Sequence, residues 1–131
     1  MSPTLEARIV HAMQSVATLE LAIVFGSMAS GDARLDSDID VAVRYKHALD
    51  VAQKIALIDA LALVTGRAVD VIDLRVAGPI VAREALTGGR RLFGSDEVWA
   101  AQVLRTLIDY ADFAPLIERT LRESREAWMQ A

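Results

Sequence analysis

A chain of 131 residues, 53% of them hydrophobic, has the apolar side chains for one ordinary domain with one core and too few residues for two. Its formal net charge of -4 argues against a general nucleic-acid binder, which would carry a basic face to neutralise phosphates. With no cysteine and only two histidines, His11 and His47, a disulfide framework and a thiolate zinc site are excluded, and carboxylates remain as the main metal ligands.

The N-terminal Met-Ser-Pro-Thr-Leu-Glu lacks the charged-then-apolar pattern of a signal peptide. No apolar run approaches the roughly 18 residues of a membrane span, so the expectation is a soluble cytoplasmic protein. Residues 2–16 read as a helix: Ser2 or Thr4 can cap it, Pro3 suits the first turn, and Leu5, Ile9, Ala12, Met13 and Val16 recur at helical spacing. Residues 19–25 are a nearly continuous apolar run that stops at Gly26-Ser27, the pattern of a buried strand ending in a turn. After a small, polar stretch, residues 38–44 alternate Asp38, Asp40 and Ala42 with Ile39, Val41 and Val43, which predicts a second strand, wet on one side. Residues 48–64 form a helix with Val51, Ile55, Ile58 and Ala62 as its apolar stripe and Gly66 as its stop, and residues 69–74 form a third strand.

Gly78-Pro79 starts another helix, Gly88-Gly89 ends it, and residues 91–93 add a short edge strand. The remainder, from Ser95 to Ala131, is helical, opened by a hydroxyl cap at Ser95 and by Asp96 and Glu97 in the first turn. Pro115 predicts a kink or break near residues 112–114. No repeat, low-complexity tract or linker interrupts the chain. The order of elements is that of a small α/β domain, a mixed sheet flanked by helices, with residues 1–94 as its core and 95–131 as a C-terminal helical extension of the same domain.

Side chains two apart on a strand point the same way, so Asp38 and Asp40 present adjacent carboxylates while Ile39 and Val41 face the core. Two such charges repel, and a divalent cation is the economical compensation. Oxygen-only ligands favour Mg²⁺ or Mn²⁺, and Mg²⁺ takes one or two carboxylates with the rest of its octahedron from water and substrate phosphate. Directly after a strand, Gly26 lets the backbone approach a ligand, Ser27 adds a hydroxyl, and a following helix start would offer free N–H groups to an anion. Asp70, near the start of the third strand, is the natural third carboxylate. Its rival Asp73, three residues on, falls on the opposite face. Three acids beside a phosphate seat suggest two metal ions and in-line nucleotidyl transfer.

The stretch Gly-Ser-Met-Ala-Ser-Gly-Asp-Ala-Arg-Leu-Asp-Ser-Asp-Ile-Asp-Val at 26–41 resembles the signature of the polymerase-beta-type nucleotidyltransferases. Its nearest likeness is to the minimal branch, including the MntA-type antitoxins paired with HEPN-domain toxins, and Val-Asp-Val-Ile-Asp-Leu at 69–74 resembles that branch's third-carboxylate strand. The resemblance implies the polymerase-beta-type fold, ATP as substrate and Mg²⁺ as cofactor. It assigns Gly26 and Ser27 to the triphosphate, Asp38 and Asp40 to metal, and Asp70 to the metal nearer the attacking hydroxyl, where it can help accept the proton. It further implies AMP transfer to a tyrosine of a HEPN-type RNase toxin, which the protein silences as its antitoxin. Ser30 departs from the Arg or Lys that many relatives carry in that turn, with Arg34 as a candidate substitute.

Elsewhere the plainer readings prevail. Asp32 and Asp36 are loop residues, solvated or capping, and Ser37 either fixes the Asp38 backbone or touches phosphate. His11, His47 and Arg90-Arg91 are read as structural or surface residues. Trp99, Tyr110, Phe113 and Trp128 either pack internally or form the surface for a partner or second copy. Two other functions remain open: an aminoglycoside-type small-molecule nucleotidyltransferase, and a non-catalytic antitoxin that neutralises its partner by binding.

Overall fold

A strand as uniformly apolar as residues 19–25 needs cover on both faces, and it finds that cover at the centre of a sheet. The computed structural model describes residues 3–26 and 38–130. Four strands, β1 (Leu19–Phe25), β2 (Ile39–Tyr45), β3 (Val69–Asp73) and β4 (Arg90–Phe93), pair in the order β3-β2-β1-β4. β1 runs antiparallel to both β2 and β4, whereas β2 and β3 are parallel and joined by a helical crossover, α2 (Val51–Thr65). The other helices among the described residues are α1 (Pro3–Gln14), α3 (Pro79–Gly88) and α4 (Asp96–Gln130). The predicted edge strand is β4, and none of these helices is long and apolar enough to cross a membrane.

The sheet separates two apolar layers. On one face Ile9, Ala12 and Met13 of α1 and Leu57 and Leu61 of α2 bury Ala22, Val24, Val41, Val43 and Val71. On the other, Ala82 and Ala85 of α3 cover Leu21, Ile23, Phe25 and Ala42, with Val98 of α4 alongside. The second strand is therefore not wet along one side: Ala42 is completely buried, and only Asp40 and Arg44 on that face reach partway to water.

The apolar stripe expected for α2 is also corrected. Leu57 and Leu61 are its buried residues, while Val51 and Ile55 are 77% and 55% exposed. This helix is apolar nearly all round, so composition leaves the inward face undecided. Packing selects the leucines, each worth about 1.5–3 kcal/mol when buried. Its ends follow the sequence closely: Asp50 and Gln53 form a reciprocal capping box, and Gly66 closes the helix at φ +68°.

In α4 the Val98 amide donates to Ser95 Oγ at 3.2 Å, as the cap predicts. The expected break near residues 112–114 is absent, because α4 continues through Pro115 to Gln130. Proline removes one helical hydrogen bond, and the carbonyl it leaves free belongs to exposed Ala111, where water can satisfy it. A polar cluster fastens α4 to the sheet. Glu20 accepts from Arg44 at 3.1 Å and from Arg75 at 2.7 Å, Arg44 reaches the buried Gln102 at 3.4 Å, and Gln102 donates to Thr106 at 3.1 Å.

Candidate active site

Gly26 follows the last residue of β1, and its φ of +72° turns the chain sharply where the strand ends. The turn passes against β2. A Cβ at Gly26 would sit 2.5 Å from Asp40 Oδ2, so a side chain there would collide with the carboxylate. Asp40 is the second residue of β2, paired with Phe25 across the antiparallel ladder and with Asp70 across the parallel one. The turn after β1 and the first residues of β2 and β3 thus bring Gly26, Asp40 and Asp70 to one end of the sheet.

The faces agree with the alternation. Asp40 precedes Ala42 by two and Asp70 precedes Ile72 by two, and both apolar residues belong to the layer beneath α3, so the two carboxylates stand on the α3 side of the sheet. Asp38 lies one residue before β2 and is exposed. Asp73 is on the other face and buried, where Oδ2 accepts the Leu49 amide and Oδ1 the Arg75 amide, each at 2.9 Å. Its work is to fix the turn after β3 and the loop that leads into α2. Of the residues expected at the site, Ser27 lies outside the described residues, as do Ser30, Asp32, Arg34, Asp36 and Ser37.

Electrostatics sets Asp40 apart. Desolvation raises its pKa first, followed by the negative charges of Asp70, Asp38 and Glu84. All four influences oppose ionisation, which is the environment a cation would relieve. Glu84, on the exposed side of α3, is the one acid of this group that sequence spacing did not bring forward. Its helical phase was readable, since Ala82 and Ala85 define the inward face, but the crossing of α3 over β2 was not.

Among the described residues no three Asp, Glu or His side chains close around a common point as a complete metal cage. The donor chemistry nevertheless fits Mg²⁺: a pair of carboxylates beside an open face suits an ion that keeps water and substrate phosphate as its other ligands.

Known proteins resemble this chain in sequence and in fold. The family described as Polymerase beta, Nucleotidyltransferase matches residues 7–98. The protein adenylyltransferase MntA of Shewanella oneidensis is 32% identical over 93 residues, covering 69% of this chain and 67% of that protein. A chain from a toxin–antitoxin crystal structure with AMP-PNP superposes with a TM-score of 0.79 at 27% identity, covering 88% of this chain and 98% of that one. A refined structure of the tri-AMPylated Shewanella oneidensis HEPN toxin in complex with MNT antitoxin gives 0.71 at 26% identity, over 92% of this chain and 99% of that one.

Proposed function

The chain belongs to the polymerase beta nucleotidyltransferase family, and from that premise we propose that it transfers AMP from Mg·ATP to a tyrosine hydroxyl of a HEPN-type toxin and thereby acts as its antitoxin. The observation that carries this reading is the register of Asp40 with Asp70, beside a glycine turn at φ +72° that passes close against the Asp40 carboxylate. The likeness to MntA and to antitoxin complexes with AMP-PNP and with an AMPylated toxin supports ATP as the donor and a protein as the acceptor.

In this reading Gly26 and Ser27 receive the triphosphate, Asp38 and Asp40 are the shared metal ligands, and Asp70 lies nearest the acceptor. Mg²⁺, as two ions held by Asp38, Asp40 and Asp70, would neutralise the triphosphate and make the acceptor hydroxyl more acidic. The chain's own contribution is orientation. The missing Cβ of Gly26 leaves room for Asp40, the β2–β3 ladder fixes Asp70 beside it, and Asp70 accepts the acceptor's proton as the hydroxyl attacks.

Residues 1–94 form the nucleotidyltransferase core of this reading, and 95–131 are an extension of the same domain. The packing of Val98 into the layer beneath α3 supports treating them as one unit. An ATP-consuming reaction on a toxin of the same cell is a cytoplasmic one.

The test uses α-labelled ATP, Mg²⁺ and the HEPN-type protein of the same organism. Label is expected on the HEPN-type protein with the wild type and not with Asp38→Asn/Asp40→Asn. Co-purification of the two proteins without any labelling would overturn the enzymatic reading and leave neutralisation by binding.

A further inference from the structure

The distal part of α4 leaves the body behind. Tyr110 still lies under Arg83 of α3, 4.8 Å from guanidinium to ring centroid, but every residue from Glu118 to Gln130 is exposed. A solvated helical end has no need of apolar residues at regular spacing, yet Phe113, Ile117, Leu121, Ser124 and Trp128 follow at intervals of four, four, three and four. In a helix they fall within an arc of about 80° and form one stripe. Leu121 is 64% and Trp128 82% exposed, and an apolar hollow of about 260 Å³ opens between Phe113, Leu116, Ile117, Thr120 and Leu121. Such a stripe has the pattern of the contact seam of a helix pair.

Charge identifies the occupant. Residues 118–126 include three glutamates and three arginines, so this segment is neutral in a chain whose net charge is -4. Arg119 and Glu123 pair within the helix at 3.1 Å. Glu118 and Arg125 stand two turns apart on one flank of the stripe and form no ion pair among the described residues. A partner recognised by its charge would meet a flank of one sign, whereas a flank with one acid and one base is complementary to its own reverse. In an antiparallel pair centred between Thr120 and Leu121, Glu118 of each copy comes within about 3 Å, measured along the axis, of Arg125 of the other. The same centring sets Phe113 against Trp128 and Ile117 against the small Ser124, so that large side chains meet smaller ones. A parallel pair would stack Ser124 on Ser124 and crowd both bodies at one end, and the antiparallel pair places them at opposite ends.

We infer that the exposed half of α4 pairs antiparallel with the same segment of a second copy of this chain, through a seam of Phe113, Ile117, Leu121 and Trp128 flanked by ion pairs of Glu118 with Arg125 between the copies. The seam is about 23 Å long, which puts the contact at the low end of specific interfaces, below about 800 Å² per partner. The dimer is therefore reversible. The end of α4 stands free in dilute solution and pairs as concentration rises. The seam contains none of the residues assigned to adenylyl transfer, so the pairing stands apart from that reading.

The test is sedimentation equilibrium of the full chain from micromolar to millimolar concentration, with circular dichroism to establish that each variant is folded. Wild type is expected to show a monomer–dimer equilibrium, and Leu121→Glu, which sets a charge at the centre of the seam, is expected to stay monomeric. Glu118→Arg and Arg125→Glu should each weaken the dimer by about fivefold or more, since each turns two attractions across the two-fold axis into two repulsions. The doubly reversed variant should return to within about twofold of wild type, because the charges face each other again. A wild type that is monomeric throughout, or a dimer that survives Leu121→Glu, would overturn the inference. A double reversal no tighter than the single ones would do the same, by showing that the two charges do not meet. So would a monomeric wild type whose binding to the HEPN-type protein is lost in Leu121→Glu, which would assign the stripe to that protein.

Discussion

Asp40 and Asp70 are direct partners across the parallel ladder of β2 and β3, which sets two carboxylates on one face of the sheet, carried by strands about 4.8 Å apart. Like charges directly opposite cost a sheet up to about 1 kcal/mol, and a fold with no use for both acids would gain by losing one. Asp70→Asn is therefore expected to raise the melting temperature in metal-free buffer while lowering label transfer by about 10²–10⁴-fold. Thermal unfolding with chelator present and a transfer assay on the same preparation check both halves. Loss of stability together with activity would mark Asp70 as a structural residue.

Gly26→Ala tests the contact between the turn and β2. Its φ of +72° disfavours any side chain with a Cβ, by about 1–2 kcal/mol, and the added methyl would also meet Asp40 Oδ2 at 2.5 Å. The expected result is a lower urea midpoint and, at temperatures where the variant is folded, a transfer rate reduced at least tenfold because Asp40 has been pushed aside. Recovery of full activity once the protein is folded would show that Asp40 tolerates displacement.

What was legible in the sequence follows from how local each signal is. Gly66, the Ser95 cap and the two-residue alternation of 38–44 act within a few residues of themselves, and the elements they mark stand where expected. The partnership of Asp40 with Asp70 needed only one assumption, that the third strand lies beside the second. The inward face of α2 was not legible, because a helix apolar on every side gives no phase and α1 makes the choice. Ala42 was misjudged for the same reason: its dryness depends on α3, some forty residues away. Glu84 could not be placed near Asp40 without that crossing either.

Tyr45 gives the fold an alkaline limit. Its phenol is buried, donates to the Met13 carbonyl at 2.8 Å, and has its pKa raised well above the ordinary 10.0 by desolvation first and by the Asp73 carboxylate second. A folded-state pKa above the unfolded one means that the neutral phenol is favoured in the fold. Its contribution is complete below pH 10 and is lost as pH rises from there toward the folded value. Tyr45→Phe should cost about 1 kcal/mol at neutral pH through the lost hydrogen bond. The gap between wild type and variant should then narrow as pH rises above 10, measured as urea midpoints across pH 8 to about pH 11. A gap that stays constant would separate the phenol from the alkaline loss of stability.

Pro115 lies inside a continuous helix, and that setting predicts the outcome of replacing it. Proline inside a helix costs about 3 kcal/mol relative to alanine, through a missing hydrogen bond and a clash with the preceding turn. Here α4 nonetheless runs unbroken past it to Gln130, and the residues from Glu118 onward are exposed and receive no support from the body. An unsupported helical end reports propensity almost directly, because no packing compensates for it. Pro115→Ala is expected to raise helicity measured by circular dichroism and to slow amide exchange in residues 111–125, with little change in the melting temperature of the body. A large rise in that melting temperature would instead show that the exposed end of α4 and the core unfold as one unit.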